Sequence, residues 1–153
     1  MKKKFLSGIA AAAFLSLAAV SCNNDDDKET VIGASELPAV TDVFVKAHFP
    51  NVTYVLIKKE HRPESDGTVY EVRLSNGFEI DFDVQGNMVD IEGYGQAVPM
   101  EFVSEPIQAY LMANYKNFFV TSIDNERGTT EIELSNRVEL IFDLQGNFLG
   151  IDR

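Results

Sequence analysis

The sequence predicts an α+β fold, and three observations carry that prediction. A 24-residue stretch occurs twice, at 70–93 and 130–153, with 11 identical positions, which marks an internal repeat. Within each copy apolar and polar residues alternate with period two, so they fall on opposite faces of strands. Ahead of each copy lies a segment with apolar residues at helical spacing, followed by a second run of strand-forming residues. The expected architecture is two tandem helix-plus-four-strand antiparallel repeats, with the helices packed on one face of the sheet.

Residues 36–48 predict the first helix. Leu37, Val40, Val43, Phe44 and Ala47 share one side, Ser35 stands at the N-cap position, Pro38 lies in the first turn, and Phe49-Pro50-Asn51 ends the helix. Residues 52–60, VTYVLIKKE, predict a strand, and HRPESDG at 61–67 a polar loop. Tyr70, Val72 and Leu74 then alternate with Glu71, Arg73 and Ser75, and Ile80, Phe82 and Val84 with Glu79, Asp81 and Asp83. Asn76-Gly77 between them predicts a type I′ hairpin turn. Gln85-Gly86-Asn87 predicts a second turn, and 88–92 a third strand with Val89 and Ile91 inward.

The second copy keeps this plan. Residues 102–115 predict a helix started by Ser104-Glu105 and Pro106, and residues 118–126 a strand. The repeat follows, with Ile132, Leu134, Leu140, Phe142, Leu144, Leu149 and Ile151 inward. Arg137 stands where the first copy has Gly77, which predicts a less comfortable turn, and Ile141 replaces Asp81, which makes the outer face less acidic. The organisation expected is a leader at 1–21, a flexible tether at 22–34, repeat one at 35–93, a connector at 94–101 and repeat two at 102–153.

The leader has three lysines followed by an almost uncharged apolar run from Phe5 to Val20, too short for a convincing membrane span. Ala19-Val20-Ser21-Cys22 closes it around the single cysteine and resembles the lipobox of bacterial lipoproteins. That resemblance implies cleavage before Cys22 and lipid attachment there, so that the membrane is met through the N-terminal anchor only. The plain signal peptide with a free thiol is the alternative. NNDDDKET at 23–30 is polar and aperiodic, which predicts the tether. Its aspartates resemble the export signal of surface lipoproteins of Bacteroides-type bacteria, and the sequence leaves the periplasmic and surface leaflets of the outer membrane both open. Without residues 1–21 the chain carries 10 basic against 24 acidic residues, a formal charge of −14. Such a domain does not suit nucleic acid or anionic lipid, both of which require positive charge.

The outer sheet face is expected to carry Glu71, Arg73, Glu79, Asp81, Asp83, Asp90 and Glu92, then Glu131, Glu133, Glu139, Asp143 and Asp152. Glu79, Asp81 and Asp83 project at intervals of roughly 6–7 Å, and Asp90 or Glu92 would complete a cation site with them. A solvated acidic face is the competing reading. For nucleophilic chemistry the chain offers only His48 and His61 as histidine bases, and no nucleophile elbow, phosphate loop, dinucleotide fingerprint or zinc spacing. No catalytic residue, metal site or cofactor is expected.

Two tandem units that each end in a phenylalanine–aspartate–x–x–glycine hairpin (Phe82-Asp83-Val84-Gln85-Gly86 and Phe142-Asp143-Leu144-Gln145-Gly146) resemble the PepSY-like family. That family is also described as β-lactamase-inhibitor-like and occurs in secreted and lipid-anchored proteins. The resemblance spans about residues 35–153. It implies helices on one side of a sheet and a binding or inhibitory role outside the cytoplasm, and supplies no catalytic residues. The expected function is therefore a non-enzymatic cell-envelope module for a protein or peptide partner. Glu79, Asp81, Asp83, Asp90 and Glu92 would form its surface, and Tyr94 its aromatic anchor at the rim. The alternative is a small-ligand or calcium-binding periplasmic protein.

Overall fold

The computed structural model describes residues 29–152. The leader, Cys22 and residues 22–28 of the expected tether lie outside the described residues. Nine strands follow one another along the chain: β1 (Glu29–Val31), β2 (Tyr54–Glu60), β3 (Tyr70–Leu74), β4 (Glu79–Phe82), β5 (Met88–Glu92), β6 (Val120–Asp124), β7 (Thr129–Leu134), β8 (Glu139–Asp143) and β9 (Phe148–Asp152). They form one sheet in that same order, and each neighbouring pair is antiparallel. Helix α1 (Ala39–His48) precedes β2, and α2 (Glu105–Asn114) precedes β6. The fold is α+β; β1 and β9 are its two edges, and the sheet is not a closed barrel.

The alternation read from the sequence sets the faces. Val72, Ile80, Phe82, Ile91, Ile132, Leu140 and Phe142 have no exposed surface, and each such side chain contributes roughly 1.5–3 kcal/mol by leaving water. The Phe44 ring of α1 meets Phe82 edge-on at 5.6 Å, and Tyr110 of α2 meets Phe142 edge-on at 5.3 Å. Register shifts recur at corresponding places, Tyr54/Leu56 and Val120/Ser122, where an extra residue sharpens the twist of the strand.

Five expectations about the fold need correction. Leu144, Leu149 and Ile151, expected inward, are exposed, at the last turn and on the edge strand β9. Glu29–Val31, placed in the flexible tether, is strand β1: Glu29, Thr30 and Val31 pair with Glu60, Lys59 and Lys58, and the Ile32 amide donates to the Ile57 carbonyl at 3.0 Å. Three residues are too few to show a period. Helix α1 starts at Ala39 and not near Ser35, because Leu37 precedes Pro38 and is held extended (φ −69°, ψ 150°). A 3-10 turn at Ala34–Glu36 takes its place, closed by Glu36 Oε1 accepting from the Gly33 amide at 3.0 Å. In the second half a matching 3-10 turn, Met100–Phe102, precedes α2.

The buried side of α1 is Thr41 and Val45, whereas Val40 and Val43 are 49% and 65% exposed. Apolar residues surround most of this short helix, so spacing alone does not choose the side. The Asn76-Gly77 turn is not type I′ either. Only Gly77 has positive φ (92°), the Leu74 amide donates to the Phe78 carbonyl and the Gly77 amide to the Leu74 carbonyl. That is a type I turn followed by a left-handed bulge residue. Arg137 adopts the same conformation (φ 64°) with the same pair of hydrogen bonds.

His48 ties the two halves together. Its ring lies 5.0 Å from Phe102 and 4.6 Å from Phe44, and Nδ1 is 2.7 Å from Glu101 Oε1. Phe49 stacks on Phe102 from the same side, at 6.1 Å.

Candidate functional site: the acidic face of the sheet

Antiparallel register turns the outward residues of successive strands into rows. One row runs Arg73, Glu79, Glu92, Ser122, Glu133, Glu139, Asp152 across seven strands. A second starts Lys58, Glu71, Asp81 and resumes with Asp124, Glu131, Ile141. Asp90 lies between Asp81 and Asp124 and feels both. Glu79, Asp81, Asp90 and Glu92 thus share this face as read from the sequence, and Ile141 interrupts it in the second half.

Crowding shows in the protonation of the second row. Burial pushes the Asp81 carboxyl up to about 8, with the charges of Glu71, Asp90 and Glu79 adding to the effect. Burial likewise raises Asp90 to about 7 against the opposing Asn125 amide, and Asp124 adds its charge. Glu131 is raised to about 7, chiefly by sharing a hydrogen bond with Glu139. Asp81 Oδ1 and Asp124 Oδ1 are buried without a hydrogen-bond partner. Desolvated carboxylates that repel one another either keep a proton or accept a cation. Asp124 was missed in the sequence reading, although its alternation with Ser122 places it on this face.

Asp83 does not belong to the face. It lies beyond the end of β4, and its Oδ1 accepts from the Gln85 amide at 2.9 Å and the Asn87 amide at 2.8 Å, while Oδ2 accepts from Asn87 Nδ2 at 2.9 Å. Burial works against its charge, but the donors from Asn87, Gln85 and Gly86 hold its carboxyl below the ordinary range. Asp143 does the same work in its own turn. The phenylalanine–aspartate–x–x–glycine pattern is therefore a turn-closing device: aspartate ties the loop and glycine supplies φ 84° or 81°.

Tyr94 lies beside the first row, two residues beyond Glu92 and close to Glu79 and Arg73. It is 61% exposed with φ 50°, and its amide donates to Glu92 Oε1 at 2.5 Å. Burial and then the Glu79 charge raise the affinity of its hydroxyl for the proton. Tyr94, Glu92, Thr121, Glu133, Ser135 and Arg137 border a groove of about 450 Å³, which lies where the connector leaves β5 and β6 begins. The face has few bases of its own. Lys58 bridges Glu29 and Glu71, and Arg73 bonds Glu79 through Nε at 2.8 Å.

The two histidines lie apart: His48 Nδ1 meets Glu101, as described above, and His61 Nε2 lies 2.8 Å from Thr30 Oγ1 on the exposed edge.

The sequence matches the family described as "Putative beta-lactamase-inhibitor-like, PepSY-like" over residues 24–90 and 68–150, and the chain belongs to that family. No curated protein matches it. Among solved structures it is similar to a "putative periplasmic protein of unknown function" from Bacteroides vulgatus ATCC 8482, with 28% identity, 82% of this chain and 99% of that one covered, and a TM-score of 0.75. It is also similar to a "putative calcium-regulated periplasmic protein" from Bacteroides thetaiotaomicron, with 32% identity, 84% and 99% covered, and a TM-score of 0.74. A second B. vulgatus periplasmic protein gives 30% identity, 83% and 98% covered, and 0.73. The neighbours are thus described as periplasmic, and no helix among the described residues is long and apolar enough to cross a membrane.

Proposed function

We propose that this protein is a non-enzymatic module of the cell envelope that binds a cationic protein or peptide on the outer face of its sheet. The observation that carries this reading is the pair of cross-strand acidic rows, with few bases against them, running beside a groove rimmed by Tyr94. Charge attracts and orients such a partner, and an exposed aromatic next to a groove supplies the anchor. We read the fold as two copies of one helix-plus-four-strand unit with both helices on the same side, which leaves the opposite face free. Cys22 would carry the lipid that holds the module at the outer membrane. Inhibition of an extracytoplasmic enzyme is one form this binding would take, and a panel of envelope proteases and β-lactamases assayed at micromolar protein tests it.

Photo-crosslinking in living cells from Ser122, which lies in the first row between Glu92 and Glu133, tests the main reading. It predicts a discrete adduct that disappears when Glu79, Glu92 and Glu139 are replaced by lysine. Equal labelling of wild type and charge-reversed protein would remove it.

A second reading is favoured by Asp81 and Asp124, each of which has its Oδ1 buried without a hydrogen-bond partner: the centre of the acidic row binds calcium. The relative described as calcium-regulated supports the idea. Calorimetry with Asp81→Asn and Asp90→Asn, compared with wild type, tests it.

A further inference from the structure

Strand β9 repeats β5 in sequence but not in surroundings. β5 is covered by β6: Ile91 pairs with Ile123 and Glu92 with Ser122. The Gly93 amide donates to the Thr121 carbonyl at 2.8 Å, so Ile91, two residues back, turns its own backbone groups toward β6 as well. Sixty residues on, Ile151 stands where Ile91 stands and Asp152 where Glu92 stands, but β9 is an edge of the sheet. Ile91 has no exposed surface and Val89 is 9% exposed, whereas Ile151 and Leu149 are 49% and 58% exposed. We propose that this edge joins two copies of the chain, β9 against β9, antiparallel and centred on Ile151.

The joint between β5 and β6 is the template. There an isoleucine faces an isoleucine and a carboxylate faces a small side chain. Pairing two β9 strands about Ile151 rebuilds that pattern, with Ile151 against the partner's Ile151 and Asp152 against the partner's Gly150. Gly150 and Asp152 share the outer face, since they pair with Ile141 and Glu139. Nothing stands within 4 Å of the Cβ that Gly150 lacks, so the opposing carboxylate meets open space and not a second charge. The edge is also unguarded: Phe148–Asp152 holds neither lysine nor proline, the residues that keep exposed edges from pairing.

Symmetry favours β9 over β1 as the matching edge. A twofold pair closes on itself, whereas β9 laid on the β1 edge of the next copy would build an open chain of molecules. β1 is also only three residues long and carries Glu29. On the helix side the join is apolar. Ile151 pairs with the fully buried Leu140, on the side where Phe148 stacks on Tyr110 at 4.7 Å. On the outer side each copy brings Asp152, and the full chain has a formal charge of −11. Both oppose association, so salt would strengthen the pair by screening them. This inference does not depend on the peptide reading.

Sedimentation velocity of the full-length protein over a dilution series, at low and at physiological salt, tests it, with hydrogen exchange of the Ile151 amide as a second readout. The join predicts a reversible dimer that is tighter at the higher salt. Ile151→Lys should weaken it by roughly tenfold or more, and Val31→Lys, on the opposite edge, should leave it unchanged. Exchange at Ile151 should be slow in the dimer and fast after dilution. Circular dichroism checks that each variant folds, and Leu149→Lys replaces Ile151→Lys if that chain does not. A monomer at every dilution, as expected if the edge takes a foreign strand, would overturn the assignment. So would a series of growing assemblies, a dimer that Ile151→Lys leaves intact, or one that Val31→Lys weakens equally.

Discussion

Replacing Gly86 by alanine should lower the melting temperature sharply. Gly86 has φ 84°, and a Cβ there would stand 2.6 Å from Thr41 Oγ1, 2.8 Å from Val40 Cγ1 and 2.9 Å from Pro38 Cβ. Two separate penalties follow. The left-handed backbone costs about 1–2 kcal/mol for a residue with a Cβ. Forcing a methyl group into contacts this short costs about 1–3 kcal/mol more, because the start of α1 must move off the sheet. Together they amount to about 2–5 kcal/mol, and at roughly 4 °C per kcal/mol for a chain of this size the midpoint falls by about 8–20 °C.

Gly95 separates the two contributions. Its φ is 85°, but nothing lies within 4 Å of the Cβ it would gain. Gly95→Ala therefore reports backbone strain alone, a fall of about 4–8 °C. Thermal unfolding followed by circular dichroism measures both variants. The reasoning fails if Gly86→Ala melts together with Gly95→Ala, since the turn would then be free to yield without disturbing α1.

Other outcomes follow from the same geometry. Arg137→Gly relieves a φ of 64° and should stabilise the protein by about 0.5–1 kcal/mol, a gain partly offset by the freedom of glycine in the unfolded chain; chemical denaturation checks this. Asp83→Ala removes the acceptor of the Gln85 and Asn87 amides and should destabilise by about 1–2 kcal/mol in the same assay. Asp81, raised by burial to about 8 from 3.8, keeps a proton that the unfolded chain releases. Its contribution is complete below about pH 4 and is lost as pH rises toward 8. Asp81→Asn should therefore flatten the fall in melting temperature between pH 5 and pH 8 and raise it at pH 8, as a series of melts would show.

The strands were legible because their faces differ at every step. Val72, Ile80 and Phe82 alternate with Arg73, Glu79 and Asp81, and a slip of one residue in register would turn the whole first set out to solvent. The turn at Asn76-Gly77 was located correctly but assigned the wrong type, since an asparagine–glycine pair serves more than one hairpin geometry. The acidic face was legible apart from three aspartates. Asp83 and Asp143 follow the alternation of their strands, yet their carboxylates bond to the loops beyond, and Asp124 sits at the very end of β6, opposite Glu131.

Local order along the chain was enough to determine the strands and turns of each repeat, the sign of the outer charge and the family, because alternation and turn chemistry act between residues a few positions apart. Tertiary structure alone decided which side of α1 is buried, that Glu29–Val31 is a strand, and that β5 pairs with β6 to make one continuous sheet. Each of these depends on contacts between residues far apart in sequence, where the energy comes from packing and cross-strand register and leaves no period in the sequence to read.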